Sequence, residues 1–297
     1  MKVFDCFMYF DEDILCDLRL NCLDPYVDHF VIVESKFTHS GKKKELFFNI
    51  NKFNKFKNKI KYLVLDHEPG GIEKINDGDD ENEKSRKYIL NAVKRENYQR
   101  NYINEGLKDA NSEDIIMISD LDEIPNLENV NLATIKNKLI FFQQKIFYYK
   151  FNLFLNSLNW VGTKVCRKKN LVSPQWLRNI KDRIYSFWRI DVLFSKNKYT
   201  DIYFITNGGW HFSYLRNAHS IEKKLKSYLH HREYDINPLS IEKISQMMKE
   251  KKAVYDLKAD MRSSKFGKGQ NLTKVNLNQL PNYIQNNFEK YKLWLEE

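Results

Sequence analysis

Few stretches restrict a fold as tightly as residues 29–35, HFVIVES, in which four apolar residues stand in unbroken succession before Glu34 and Ser35. A strand of a sheet with one wet face alternates apolar and polar residues. An unbroken apolar run bounded by polar ends belongs to a strand covered on both faces, as in a parallel sheet flanked by helices. The neighbouring segments agree. KVFDCFMYF reads as a first strand. DEDILCDLRLNCLDPYVDHF then reads as a helix, with Ile14, Leu15, Leu18 and Cys22 at helical spacing until Asp24-Pro25 stops it. IKYLVLDHEP is another buried-type strand, closed by Pro69. Strand, helix, strand and strand predict a βαβ-type parallel sheet in an α/β protein.

A chain of 297 residues with 42% apolar and 14% aromatic content can fill one large α/β domain, or one domain with an appendage, which excludes general disorder. Its 49 basic and 39 acidic residues leave a net charge of +10, a surface that attracts phosphates, nucleic acid or an anionic membrane face. Runs such as NINKFNKFKNKIK read equally as solvated faces. Cys6, Cys16, Cys22 and Cys166 form no CxxC pair and no framework, so reduced, buried thiols in a cytoplasmic protein are expected. MKVFDCFMYFDEDIL acquires acids too early for a signal peptide, and no apolar run is long enough for a membrane span. The sequon at Asn271 is idle in that compartment.

The acidic stretch DGDDENEK, residues 77–84, fails as a calcium loop because the glycine needed at its sixth position is Asn82, and it reads as a solvated loop. A long helix is expected from Ser85, with Ile89, Ala92, Val93, Ile103, Leu107 and Ala110 on its buried stripe. Glu96 and Arg100 fall within the same stripe one turn apart, and a charged pair there is costly unless it is satisfied internally or faces a site. The aromatic segment KLIFFQQKIFYYKFNLFLNSLNWVGTKV, with turns near Asn152 and Asn159, reads as antiparallel strands. GGWHFSY follows at residues 208–214, and beyond Asp235 the chain is Lys-rich and helix-like.

The chemistry concentrates in DIIMISDLDEIPN, residues 114–126, where a buried-type strand runs into Asp120, Asp122 and Glu123. In an extended segment residues i and i+2 point the same way, so Asp120 and Asp122 address one point beyond the strand. Ligands of open α/β sheets bind at the carboxyl ends of strands. Paired oxygen ligands suit Mg²⁺ or Mn²⁺, whose shells are completed by water and substrate phosphates, with His211 as a third ligand. Arg95 or Arg100 supplies a second cationic contact to phosphate. Glu34 and Ser35, at another strand end, lie where a nucleotide is read. Trp160, Trp210 and Tyr214 are candidates for stacking on sugar rings. Two other readings stand beside this one: a metal-dependent nuclease or phosphoesterase, and a basic nucleic-acid-binding protein, although the latter leaves SDLDEIP unexplained.

The blocks FDCFMYFDEDILCDLRLNCLDPYVDHFVIVES, RENYQRN, ISDLDEIPN and GGWHFSYL, in this order, resemble the signature blocks of glycosyltransferase family 17, which includes β-1,4-mannosyl-glycoprotein β-1,4-N-acetylglucosaminyltransferase. Without an anchor or stem, the chain is similar to compact bacterial or viral members. The resemblance implies a GT-A fold in a domain over residues 1–235, with a Lys-rich helical extension over 236–297. It implies a UDP-sugar donor, UDP-GlcNAc foremost, bound through Asp120 and a metal. The sugar would pass with inversion to an oligosaccharide, glycolipid or glycoprotein, with no nucleic-acid partner and with peripheral contact to an anionic membrane compatible with the basic surface. Inversion needs a carboxylate to take the acceptor's proton. Glu123, beside the metal, and Glu233, in HHREYD, are the two candidates, and the sequence leaves both open.

Overall fold

The computed structural model describes residues 1–156, 160–186, 188–228, 231–255 and 269–297. Strand β1 (Val3–Tyr9) leads through α1 (Asp13–Leu23) to β2 (His29–Ser35) and, after a long loop, to β3 (Ile60–Leu65). Helices α2 (Glu81–Asn101) and α3 (Ile103–Gly106) return the chain to β4 (Ile115–Asp120). These four strands lie in the order β3-β2-β1-β4 and are all parallel. Their register brings Met8 beside Asp120 and Tyr9 beside Glu34, so the polar ends of β1, β2 and β4 share one edge of the sheet.

After Asp120 the pairing changes hand. β5 (Glu123–Pro125), β6 (Leu139–Tyr148), β7 (Leu153–Phe154) and β8 (Trp160–Arg167) follow, and β8 lies antiparallel between β4 and β6. Helices α4 (Pro174–Asn179) and α5 (Ile190–Leu193) precede β9 (Ile202–Ile205) and β10 (Gly209–Ser213), and β10 runs parallel to β6 and antiparallel to β5. Helices α6 (Ala218–Leu225), α7 (His231–Ile236) and α8 (Ile241–Lys249) then lead to β11 (Thr273–Lys274), α9 (Asn282–Asn286) and α10 (Phe288–Tyr291). The expected mixed α/β architecture is present, with a parallel sheet at its centre and antiparallel strands after the acidic segment. The expected turn at Asn159 lies outside the described residues.

Three local expectations give way to tertiary context. β3 is only half buried, because it forms the edge of the sheet. Helix α2 starts at Glu81 rather than Ser85, since the Asp80 carboxylate accepts the Glu83 N–H at 2.7 Å and caps it. Of the expected apolar stripe Ala92, Ile103 and Leu107 are buried, but Ile89 is 43% exposed and the polar Lys87, Asn91, Gln99 and Arg100 share the inward face. The helix packs over a polar pocket and a loop, so its inward residues are those that find partners there. The Asn91 side chain, for example, bonds both the N–H and the C=O of Glu73.

The C-terminal segment belongs to the same core. Leu280, Ile284, Tyr291 and Leu295 are buried in one cluster with Phe7, Leu15 and Phe30, and the Tyr291 hydroxyl donates to Asp17 at 2.8 Å. Beside its helices it contributes a short strand, for β11 pairs with β7. The four cysteines are free thiols, and burial pushes those of Cys22 and Cys166 up to about 12. Among the described residues no helix is long and apolar enough to cross a membrane.

Candidate active site

A cavity of about 280 Å³ opens at the carboxyl ends of β1 and β4. Its floor carries Asp120 and Asp122, and one wall carries Glu96, Gln99 and Arg100 from α2. The opposite side is built from Trp160 at the start of β8, His211 of β10, Tyr214 and Lys224 of α6.

The turn that presents the carboxylates is held from beneath by Arg19. This side chain is fully buried, and its Nη1 donates to the carbonyls of Asp120 (3.1 Å), Leu121 (3.3 Å) and Glu123 (2.7 Å). Three carbonyls gathered on one guanidinium fix the backbone of DLDE, and Asp5 balances the charge. β10 is locked to the same turn, since Phe212 N–H donates to the Asp122 carbonyl at 2.8 Å and His211 pairs with Glu123 across the ladder. His211 therefore stands over Asp122, with Nε2 3.6 Å from Oδ1.

Asp120 lies between two arginines: Arg100 Nη2 donates to Oδ1 at 2.9 Å and Arg178 Nη2 to Oδ2 at 3.1 Å. Burial pushes its carboxyl upward, but Arg178 and Arg100 outweigh that and hold it well below the usual carboxylate range. Arg100 also pairs with Glu96 at 2.9 Å, so the charged pair inside α2 does face the cavity. Asp122 shows the same balance: burial acts upward, and His211 and Lys224 prevail. Reciprocally, His211 is raised, with burial opposing and Asp122 prevailing. The buried Nδ1 of His211 and Nε of Arg100 have no hydrogen-bond partner among the described residues.

Glu123 is differently placed. It is fully buried, and its carboxylate accepts from Asp120 N–H (2.8 Å), Trp160 Nε1 (2.7 Å) and both Nη atoms of Arg178 (2.8 and 3.0 Å). With four donors in place it organises Trp160 and Arg178 instead of facing an acceptor. Glu233, on α7, is not part of the cavity lining.

The other expected residues divide. Trp160 and Tyr214 line the cavity, while Trp210 turns to the far side of β10 and donates to the Gln279 carbonyl at 2.7 Å. Glu34 is fully buried and accepts from Lys44 Nζ, Phe47 N–H, Phe48 N–H and Tyr62 OH, which anchors the loop after β2. Ser35 caps the same loop by accepting from Phe37 N–H at 3.0 Å. Arg95 pairs with Glu68 under Gly41 and borders a separate small cavity.

Four further charged residues complete the site. Arg178 lies far from Glu123 in the chain, with no local signal to connect them. Lys224 lies 3.2 Å from Glu12 and 3.6 Å from Asp122, but in sequence it is one more lysine in a basic helix. Arg216 pairs with Asp11 and, at 2.8 Å, with Glu12. Glu12 was the legible one, being a carboxylate just past a strand end like Asp120. Burial pushes it upward, but Lys224 and Arg216 bring it down to about 2.

Two ligands of one divalent ion at 2.0–2.2 Å stand about 3 to 3.6 Å apart, so Asp122 and His211 fit two positions of a shared shell. Arg100 and Arg178 each donate to one oxygen of Asp120, at 2.9 and 3.1 Å. Among the described residues no three His, Cys, Asp or Glu side chains converge as a metal-binding group.

The model of Glycosyltransferase family 17 matches residues 1–296. The chain belongs to that family and is a glycosyltransferase, which uses a sugar donor and a glycan acceptor. No curated protein matches the chain. Among the solved structures that resemble it faintly are two of one protein. The crystal structure of HddC from Yersinia pseudotuberculosis shares 10% identity over 70% of this chain and 92% of that one, with a TM-score of 0.30. HddC complexed with GMP-PN shares 10% over 69% and 90%, with a TM-score of 0.28. Likeness at that level carries no argument.

Proposed function

We propose that this glycosyltransferase has a GT-A-type fold and transfers GlcNAc from UDP-GlcNAc, with inversion, to a hydroxyl of an oligosaccharide, glycolipid or glycoprotein. One observation carries the reading: Asp122 and His211 stand 3.6 Å apart in a cavity at the carboxyl ends of parallel strands, with Arg100 and Lys224 in its walls. The order β3-β2-β1-β4, followed by antiparallel β8, supports the fold assignment. Asp122 and His211 would hold Mn²⁺ or Mg²⁺, and the metal would supply positive charge against the diphosphate of the donor. Arg100 and Lys224 add cationic contacts to the phosphates, and Asp120 accepts from donor hydroxyls with its remaining lone pairs. Trp160 and Tyr214 present ring faces to the sugars. The acceptor's proton goes to a carboxylate that meets the cavity, among Glu12, Glu96, Asp120 and Asp122, with Glu123 supporting them from behind.

A thermal-shift panel of nucleotide sugars, with and without Mn²⁺, tests this. UDP-GlcNAc and Mn²⁺ together should stabilise the protein by about 2.7 kcal/mol at a hundredfold excess over Kd, and either alone by much less. Greater stabilisation by a GDP- or ADP-sugar, or indifference to the metal, overturns the donor or the metal assignment. The anomeric configuration of the product, read by NMR, decides inversion.

A further inference from the structure

The described residues between 181 and 197 form an excursion whose two ends meet at one place. The Lys181 N–H donates to the Asn197 carbonyl at 2.7 Å, and Trp176 Nε1 of α4 donates to the Lys196 carbonyl at 3.1 Å. Between these pinned ends Val192 is buried at 5% exposure, while four large apolar side chains face outward: Ile184 is 82% exposed, Trp188 69%, Ile190 69% and Phe194 84%. A soluble surface seldom gathers so many in so short a stretch. They alternate with charge. Within the excursion Lys181, Arg183, Arg189 and Lys196 stand against Asp182 and Asp191, and Asp191 is itself paired with Arg189 and with Lys198 just beyond.

We propose that this excursion docks the enzyme on an anionic phospholipid bilayer, with Ile184, Ile190 and Phe194 entering the headgroup boundary and the lysines and arginines resting on lipid phosphates. Aromatic and aliphatic side chains beside basic ones are what an interfacial membrane segment needs: apolar area to bury at the acyl boundary and positive charge for the leaflet. A protein partner of ordinary kind would not call for this excess of cations, whereas the sign matches anionic lipid. The excursion begins just past Arg178, which holds Asp120 and Glu123.

The test is sedimentation of the full chain with vesicles, which does not depend on any donor or acceptor. Vesicles of phosphatidylcholine with about 30 mol% phosphatidylserine should bind at least about tenfold more protein than phosphatidylcholine alone, and about 0.5 M salt should weaken binding strongly. The double variant Ile184→Ser/Phe194→Ser should lose about tenfold in vesicle affinity while its melting temperature and donor hydrolysis in solution stay unchanged. Equal binding to neutral and anionic vesicles, or to neither, overturns the proposal. So does a wild-type dimer in analytical ultracentrifugation that the double variant dissolves, since the apolar face would then belong to a second copy.

Discussion

Asp5 and Arg19 are both fully buried and joined by two bonds, Arg19 Nε to Oδ2 at 2.7 Å and Nη2 to Oδ1 at 2.6 Å, while the third nitrogen of Arg19 collects the carbonyls of the DLDE turn. The pair links a charge in the first strand to the backbone that presents Asp120 and Asp122. Arg19→Lys keeps the charge but loses the planar fork, so it cannot serve Asp5 and three carbonyls together. Breaking a buried pair of this kind costs about 3–5 kcal/mol. Urea unfolding should show a loss of that size for Arg19→Lys, accompanied by a fall in turnover. A variant as stable and active as the parent would mean that the turn holds itself.

The second prediction separates a supporting role for Glu123 from a role as base. Removal of its carboxylate leaves the Arg178 guanidinium in a buried place with only Asp120 as its counter-ion. Glu123→Gln should therefore lower the unfolding free energy by about 1–3 kcal/mol and raise KM along with lowering kcat, because Trp160 and Arg178 lose their anchor. A base would behave otherwise, with kcat nearly abolished and stability and KM unchanged. That outcome would return Glu123 to the chemistry.

For the metal pair, Asp122→Ala and Asp120→Ala should part company. Asp122 is the carboxylate beside His211, so its removal should abolish the Mn²⁺-dependent part of UDP stabilisation and reduce turnover by about a hundredfold or more with little change in the apoprotein's melting temperature. Asp120 instead neutralises Arg100 and Arg178. Its side chain is 38% exposed, so its removal should destabilise the apoprotein by about 1–2 kcal/mol while Mn²⁺ binding persists. Equal effects in both assays would show that the two carboxylates act as one ligand set.

Residues 29–35 and 114–126 announced the sheet and its acidic edge because their information is local: apolar runs set burial, and alternation in an extended segment aims Asp120 and Asp122 together. The helix stripe at Ile89 misled because periodicity reports amphipathicity but not which partner the helix meets. In α2 that partner is a polar cavity, so Gln99 and Arg100 go inward and Ile89 outward. Glu34 looked like a ligand reader for the same reason that Asp120 did, its place at a strand end. Only the loop that folds back onto it, through Lys44, Phe47 and Phe48, shows its carboxylate to be occupied. Arg178 and Lys224 were out of reach, since nothing local distinguishes a lysine or arginine that travels into a site from one that stays in water.

The last prediction concerns acid. Glu12 at the cavity wall is held by Lys224 and Arg216, and its carboxyl, despite burial, is lowered to about 2 from an ordinary value near 4.5. The unfolded chain takes up a proton first as the pH falls, so the stability that Glu12 contributes is fully present above about pH 4.5 and is lost as the pH drops toward 2. A shift of that size corresponds to about 3 kcal/mol at neutral pH. Glu12→Gln removes the titration and leaves Lys224 and Arg216 short of a counter-charge, so it should start less stable and lose less on acidification. Urea midpoints measured between about pH 6 and pH 3 should converge for the two proteins as the pH falls. Parallel curves would show that the Glu12 charge does no work in the fold, and that the Lys224 bridge to Asp122 stands without it.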